Sequence, residues 1–173
     1  MMTHQHAVGD GVRFCPACAA PLREEGRHPV CTSCGRVHYR DPKVGVGVVV
    51  HDDAGRLLLV QRGAGSGKGL WALPAGFLDA DEDPRAAAAR EALEETGLVV
   101  EVGAVVDAYE AGPGTTFFLA FRARVVGGTL QAGDDAVDAR FFAADEVPAL
   151  AFPSTVAAAE KMSPDATDPH SPS

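Results

Sequence analysis

A near-continuous apolar run opens the hydrophobic part of the chain. Residues Val44–Val50 read VGVGVVV, which is typical of a buried strand, and Leu57–Arg62 follow as a second strand after the turn sequence HDDAGR. Further strand-like stretches are LVVEVGAVVDAY (Leu98–Tyr109), TTFFLAFRARVV (Thr115–Val126) and ARFF (Ala139–Phe142). Because these strands alternate irregularly with helical segments, we predict an α/β fold in which helices pack on the faces of a mixed sheet.

One helix is strongly marked at both of its ends. Asp83 and Pro84 form an N-cap followed by proline at the first helical position. Residues Arg85–Thr96 are rich in Ala, Leu, Glu and Arg, which favour helix, and Gly97 is placed to end it. The sequence therefore predicts a helix that ends at Thr96.

The other segments predict shorter elements. Short helices are expected at Ala144–Leu150 and from Ser154, as N-cap, to Met162. Residues 1–12 and 163–173 are polar and lack periodic apolar positions, which indicates flexible tails. Residues 13–40 contain few large apolar side chains, so we expect a small module there and a main domain at 41–162.

Four cysteines give the small module its chemistry. They form the pairs CPAC and CTSC, separated by twelve residues. The two-residue spacing lets both thiolates of a pair bind one ion, and two pairs complete a tetrahedral Zn²⁺ site. The alternatives are a redox pair, which would lie at a strand-to-helix junction, or two disulfides, which are rare in the cytoplasm. We predict a structural zinc ribbon at 13–40 with the ligands Cys15, Cys18, Cys31 and Cys34.

Composition and charge narrow the class of protein. Hydrophobic residues make up 46% and charged residues 23%, as in ordinary globular proteins. We find no apolar run of the roughly 18 residues that span a bilayer and no signal-peptide pattern at the start, so we expect a cytoplasmic protein. The net charge is −9, with +3 over residues 13–43 and −11 over residues 44–173. Such an acidic body disfavours nucleic acid and would need a bridging cation to handle phosphates.

The predicted helix carries the most informative charges. Glu91, Glu94 and Glu95 fall at i, i+3 and i+4, so their carboxylates share one face. Like charges so placed cost about 0.2–0.5 kcal/mol per pair, and the last turn of a helix also disfavours anions. The simple interpretation is a solvated acidic face. The functional interpretation is a set of hard oxygen ligands for Mg²⁺ or Mn²⁺.

The segment Gly76–Leu98 resembles the Nudix box, G-x5-E-x7-R-E-U-x-E-E-x-G-U, in which U is apolar. Every fixed position matches, with Ala92 a small residue in an aliphatic slot; the matching residues are Gly76, Glu82, Arg90, Glu91, Glu94, Glu95, Gly97 and Leu98. The approach Leu70–Gly76 (LWALPAG) is also similar to the family. The resemblance implies a Nudix α/β/α sandwich with a mixed sheet at 41–162, preceded by a small zinc-ribbon β module.

The resemblance also implies an enzyme and assigns roles to residues. The family cuts the pyrophosphate of a nucleoside diphosphate linked to another moiety, using a divalent cation. By this likeness Glu91 and Glu95 bind Mg²⁺ or Mn²⁺ directly, and the carbonyl of Ala75 completes the metal site. Glu94 is either a further ligand or lies just behind the ligands, and Glu82 holds the loop or a metal-bound water. Arg90 would orient the glutamates by ion pairing.

Two further roles are expected outside the box. Many relatives use an acid in the loop before the last strand as general base; the candidates are Asp134, Asp135 and Asp138, and Asp135 is favoured. Arg62, at the end of the second strand, is a candidate phosphate contact. Trp71 is expected to pack within the fold rather than to stack on a base.

The substrate follows only from the resemblance. A zinc ribbon before the box is similar to the NADH pyrophosphatase group and to a set acting on ADP-ribose or FAD. The SQPWPFPxS motif of the NADH group does not occur here, and Pro113 stands where ADP-ribose pyrophosphatases tend to have a proline. ADP-ribose or FAD is therefore favoured, giving AMP plus the phosphorylated partner. The alternatives are a nucleoside triphosphate pyrophosphohydrolase and a non-catalytic nucleotide-sensing or nucleic-acid-binding Nudix module, and a homodimer remains open.

Overall fold

The computed structural model describes residues 12–39, 41–111 and 116–161. The chain forms two compact units, Met1–Asp41 and Pro42–Ser173. The predicted tails, apart from Val12, lie outside the described residues, as do Pro113 and Met162. In the described ranges no helix is long and apolar enough to cross a bilayer.

The N-terminal unit is a small β structure. Strand β1 (Leu22–Arg23) pairs antiparallel with β2 (Val30–Cys31), and isolated bridges join Phe14 to Pro21 and Val30 to Val37. Among its described residues, the buried ones are Cys15, Pro29 and Cys31. This unit therefore has almost no apolar core.

The described residues of the C-terminal unit form two sheets and two helices. The strands are β3 (Lys43–Val50), β4 (Leu57–Arg62), β5 (Trp71–Ala72), β6 (Ala75–Phe77), β7 (Leu98–Glu110), β8 (Thr116–Gly128) and β9 (Ala136–Phe142), and the helices are α1 (Pro84–Thr96) and α2 (Pro153–Lys161). One sheet has the order β6-β3-β8-β7 and the other β5-β4-β9. Only β3 and β8 pair in parallel; the other described neighbours are antiparallel. The predicted mixed sheet is confirmed.

Helix α1 lies on one face of the four-stranded sheet. It contributes Ala87, Ala88 and Ala92, all with no exposed surface, to a core shared with β3 residues such as Val46 and Val48. Alanine side chains keep the helix close to the strand, which brings the helix's polar face near the adjacent edge of the sheet. Ala92, the small residue in the aliphatic slot of the box, is therefore buried against the sheet.

Helix α2 lies on the opposite face. Its Ala158 packs in a second core with Val49 of β3 and with Phe118 and Ala120 of β8, and Leu59 of the second sheet joins the same core. Alternate residues of β3 thus face different helices, as the period of two in a strand requires. Helices on both faces of the sheet confirm the predicted α/β/α arrangement.

One of two predicted helices forms with the expected caps, and the other does not form. Helix α1 is capped as predicted: the Asp83 carboxylate accepts from the amides of Arg85 and Ala86, and Gly97 has φ 67°. The helix predicted at Ala144–Leu150 is wrong. A single turn forms there, and Pro148 lacks the amide that would continue it.

The ends of two other elements also differ from expectation. Helix α2 begins at Pro153, so Ser154 lies inside the helix and not at its N-cap. The carbonyl of Phe152 accepts from the amides of Thr155 and Val156 instead. Strand β9 begins at Ala136, three residues before its predicted start at Ala139, because backbone pairing with β4 outweighs the loop-like composition of residues 136–138.

Candidate functional site

Helix α1 presents its three glutamates toward strand β6 to different depths. Glu95 is only 5% exposed, and its Oε2 accepts a hydrogen bond of 2.9 Å from the amide of Ala75. The side chain of Glu91 is 12% exposed and that of Glu94 is 46% exposed. The acidic face predicted from the spacing therefore includes a buried carboxylate, Glu95, as well as an exposed one, Glu94. On a simple solvated face all three carboxylates would be exposed.

Strand β6 is an edge strand, which leaves backbone groups available to this helix. The carbonyl of Pro74 and the amide of Leu78 bond to β3. By the alternation of an antiparallel pair, the amide and carbonyl of Ala75 and Phe77 point away from β3. The amide of Ala75 meets Glu95, and the carbonyl of Phe77 accepts from Arg90. The Ala75 carbonyl, predicted as a metal ligand, faces the same edge.

Gly76 allows the closest approach between strand and helix. A Cβ atom at this position would lie 2.1 Å from the carboxylate of Glu91. A side chain at position 76 would therefore displace the Glu91 carboxylate, which lies directly against the strand backbone.

Arg90 binds three carboxylates at once. Its guanidinium makes two bonds of 2.9 Å to Glu82, one of 2.8 Å to Glu91 and one of 3.1 Å to Glu94. These hydrogen bonds raise the pKa of Arg90, and the Arg90 bond lowers the pKa of the Glu82 carboxyl. Arg90 thus forms ion pairs with Glu82, Glu91 and Glu94.

Burial and the neighbouring acidic groups disfavour the charged form of Glu95. Burial raises the pKa of Glu95 to about 8, and the neighbouring carboxylates of Asp135 and Glu91 add to the rise. Burial also raises the pKa of Glu91. A divalent cation is the partner that would offset these charges, and an all-oxygen donor set suits Mg²⁺ or Mn²⁺.

The carboxylates are close but not converged on one point. In the part of the chain that the structure describes, the only group of three or more His, Cys, Asp or Glu side chains whose ligand atoms lie within 4.8 Å of one another is the four cysteines. Arg90 bonds to Glu91 and Glu94, whereas Glu95 bonds to the strand. The residues fit a divalent cation by their chemistry, and the glutamates would have to draw together to bind one ion jointly.

The structure separates the three loop acids. Asp135 is near enough to Glu95, and Asp134 to Glu91, to raise the pKa of those glutamates. Asp138 instead pairs with Arg140 at 2.6 Å and accepts from the amide of Ala139. Only Asp134 and Asp135 therefore adjoin the acidic face.

Arg62 and Trp71 differ in their surroundings. Arg62 Nε donates to the carbonyl of Ser66 at 2.8 Å, and its guanidinium lies 5.1 Å from the ring centre of Phe152. Its charge also acts on Glu95, whose pKa it lowers. Trp71 packs edge-to-face on Phe142 with ring centres 4.7 Å apart, which confirms its predicted packing role.

Comparison with known proteins decides the family. The NUDIX domain family matches residues 41–165. The chain belongs to the Nudix family. It is a hydrolase that acts on pyrophosphate bonds.

Individual Nudix relatives agree with this placement. An ADP-ribose pyrophosphatase of Methanocaldococcus jannaschii is 37% identical over 118 residues, which cover 66% of this chain and 69% of that protein. The NAD-capped RNA hydrolase NudC of Vibrio cholerae is 27% identical over 86% of this chain, which spans 55% of NudC, about half its length. The crystal structure of a NUDIX hydrolase from Nitrosomonas europaea superposes with a TM-score of 0.79 at 29% identity, covering 87% of this chain and 90% of that one.

A row of aromatic residues beside the Nudix box was not predicted from the sequence. Phe77 of β6 pairs with Gly45 of β3, Gly45 pairs with Phe118 of β8, and Phe118 pairs with Tyr109 of β7. Residues paired across neighbouring strands point to the same face. Phe77 is 54% exposed, and Lys43 Nζ lies 4.9 Å from its ring centre. These aromatic residues are brought together by the register of the paired strands, and a single sequence does not reveal that register.

In the N-terminal unit the four cysteines meet. Their sulfurs all lie within 4.8 Å of one another, with Cys15 to Cys34 at 3.8 Å and Cys18 to Cys31 at 3.5 Å. A tetrahedral ion with Zn–S bonds of about 2.3 Å places sulfurs about 3.8 Å apart. The amides of Cys34 and Ser33 lower the pKa of the Cys31 thiol to about 6. The cluster is compatible with zinc, since zinc binds thiolates.

Proposed function

We propose that this chain uses Mg²⁺ or Mn²⁺ to hydrolyse the pyrophosphate bond of a nucleoside diphosphate linked to another moiety. ADP-ribose or FAD is the favoured substrate, and the products are AMP and the phosphorylated partner. The observation that carries the proposal is the buried Glu95 carboxylate, which is bonded to Ala75 and crowded by Glu91 and Asp135. The similarity to an archaeal ADP-ribose pyrophosphatase supports the substrate class.

The cation would be held on the face of α1 that meets β6. We assign it to the carboxylates of Glu91 and Glu95 and the carbonyl of Ala75, with Glu94 beside them. When bound, it supplies positive charge that offsets the pyrophosphate and lowers the pKa of a water. Glu82 stays on Arg90, and Arg90 keeps the carboxylates oriented.

The chain's own residues account for the proton and for the leaving group's charge. The Asp135 carboxylate would accept a proton from the attacking water as the oxygen bonds to phosphorus and the bridging P–O bond breaks. Arg62 would bind a phosphate oxygen, since its guanidinium has remaining donors beyond the bond to Ser66. Phe77 would offer its exposed ring to the base of the nucleotide, with Lys43 beside it.

The cysteines are assigned a structural Zn²⁺ and no part in catalysis. With four thiolates bound, such a site has no open position for substrate. Its function would be to hold the N-terminal unit folded in place of an apolar core.

A product assay tests the reaction and its substrate together. Purified protein with Mg²⁺ is incubated separately with ADP-ribose, FAD, NADH and a mixture of nucleoside triphosphates, and the products are separated by chromatography. AMP from ADP-ribose or FAD is the expected result. Turnover of triphosphates alone would contradict the substrate class. No product from any of them, with Mn²⁺ also tried, would contradict the enzyme itself.

The aromatic surface has a matched control. Phe77→Ala should raise the KM for ADP-ribose by about 10-fold, because base–aromatic stacking contributes about 1–3 kcal/mol. The control is Phe117→Ala. Phe117 is 51% exposed, close to the 54% of Phe77, but it directly precedes Phe118 in β8 and so points to the opposite face of the sheet. Equal KM values for the two variants would show that Phe77 does not contact the base.

A further inference from the structure

The segment between β8 and β9, residues 129–135, is fastened along the end of helix α1. Helix ends leave their last carbonyls without partners inside the helix. Alternate amides from Thr129 to Gly133 donate to such carbonyls: Gly133 to Glu95 at 3.1 Å, Gln131 to Thr96 at 2.9 Å and Thr129 to Gly97 at 3.2 Å. The segment is therefore held along its length, starting at the residue that carries the buried carboxylate.

The far end of the segment is held by the second sheet. The amide of Gly63, just after β4, donates to the carbonyl of Asp135 at 2.9 Å, and the amide of Ala136 closes a turn onto Gly133 at 3.0 Å. Within that turn Asp134 adopts φ 50°. The backbone of Asp135 thus lies between an anchor on α1 and an anchor on β4.

Both anchors depend on glycine for close approach. A Cβ at position 133 would lie 2.5 Å from the carbonyl oxygen of Glu94. A Cβ at position 63 would lie 2.6 Å from the carbonyl oxygen of Asp135 and 2.8 Å from Val137. A backbone oxygen cannot rotate aside as a side chain can, so a methyl group at either position must displace the segment.

We propose that Gly133 and Gly63 are positioning residues that clamp the 129–135 segment and so fix the place of Asp135 between the end of α1 and the end of β4. Gly133 sets its distance from α1, and Gly63 sets its distance from β4. This proposal rests on the proposed function, in which Asp135 accepts the proton of the attacking water. The segment is preorganised by the clamp, so substrate binding need not order it.

The kinetic test uses two glycine variants that act from opposite sides. Gly133→Ala and Gly63→Ala should each lower kcat by about 10- to 100-fold while KM changes by less than about twofold, because displacement by about 1 Å suffices for such losses. Gly103→Ala is the control: this β7 glycine is exposed, and its nearest neighbour to an added Cβ is 3.5 Å away. The control should match the wild type.

A double-variant cycle separates positioning from general damage. If the glycines act through Asp135, adding Gly133→Ala or Gly63→Ala to Asp135→Asn should cause no further loss of kcat. A full additional loss would mean that the glycines act through the glutamates or the fold, which overturns the proposal. Single glycine variants that behave like Gly103→Ala would also overturn it.

Hydrogen exchange tests the clamp without turnover. The amides of Gln131 and Gly133 should exchange as slowly as that of Gly97, which donates to Leu93 at 2.8 Å in the last turn of α1. Exchange at the rate of a free loop would refute the clamp even in an active enzyme. Slow exchange in a protein that hydrolyses nothing would support the clamp and place the failure in the proposed function instead.

Discussion

In its described residues the N-terminal unit buries Cys15, Pro29 and Cys31, whereas the C-terminal unit buries valines, leucines and Phe121 from two sheets. Burying one such large apolar side chain contributes about 1.5–3 kcal/mol. The first unit therefore cannot stabilise itself by apolar burial, and the second can. Because the two units differ in apolar burial, we propose that a bound metal ion would have a different role in each.

In the N-terminal unit two of the cysteines, Cys15 and Cys31, are among the few buried residues, so a bound ion would replace the core. In the C-terminal unit the candidate carboxylate ligands lie on the polar face of a helix whose alanines already pack against β3. Metal there would serve the reaction and leave the fold largely unaffected. Soft thiolates in one unit and hard carboxylates in the other also suit different ions.

The largest effect is expected from breaking the cysteine cluster. Cys31→Ser should abolish zinc binding and unfold the N-terminal unit, since structural zinc contributes about 10–16 kcal/mol in small modules. Zinc content and amide NMR spectra measure this, and the C-terminal resonances should stay dispersed. Ser33→Ala, which alters an exposed side chain between two ligands, is the control. If the N-terminal unit stays folded without zinc, the claim that a bound ion replaces its apolar core is wrong.

A core truncation should produce the opposite pattern. Phe121 is 2% exposed, and Phe121→Ala should destabilise the C-terminal unit by about 3–5 kcal/mol. Zinc content should be unchanged, because all four cysteines lie in the other unit. Denaturant unfolding followed by Trp71 fluorescence reports on this unit, since Trp71 is the chain's single tryptophan. The exposed Phe117→Ala should shift the midpoint far less.

A smaller effect is expected at the start of helix α1. Asp83→Ala removes the carboxylate that caps the amides of Arg85 and Ala86 and should lower the free energy of unfolding by about 1 kcal/mol. Asp83→Ser should keep most of the stability, because a hydroxyl can also cap. The same Trp71 unfolding curves measure both, and equal losses in the two variants would show that capping is not the cause.

The cap residues show how far the sequence could predict the structure. Local signals such as Asp83 and Gly97 gave the bounds of α1 correctly, and the two cysteine pairs were expected to meet. The prediction of a helix at 144–150 is wrong because Pro148 lacks the amide that would continue the first turn. The choice between Asp135 and Asp138 and the row through Phe77 and Phe118 depend on backbone pairing between distant segments, which local composition does not encode.

The smallest effect concerns the two turns that carry the cysteines. Ala19 has φ 58° where the second turn has Gly35 at φ 69°, and both amides donate to the first cysteine carbonyl of their pair. A left-handed alanine is strained, so Ala19→Gly should strengthen zinc binding by about 0.5–1 kcal/mol. Gly35→Ala should weaken it by a similar amount. Competition against a chelator measures both, and shifts of the same sign would contradict this explanation.

The most direct test of the central claim is the rate of ADP-ribose hydrolysis by Glu95→Gln with zinc present and Mg²⁺ in excess. Glutamine can still accept the bond from the Ala75 amide, so the fold should persist. We predict a fall in kcat of at least about 1000-fold, near 4 kcal/mol, with zinc content and the unfolding midpoint retained. Hydrolysis near the wild-type rate would show that the acidic face of α1 is not where the pyrophosphate is cut.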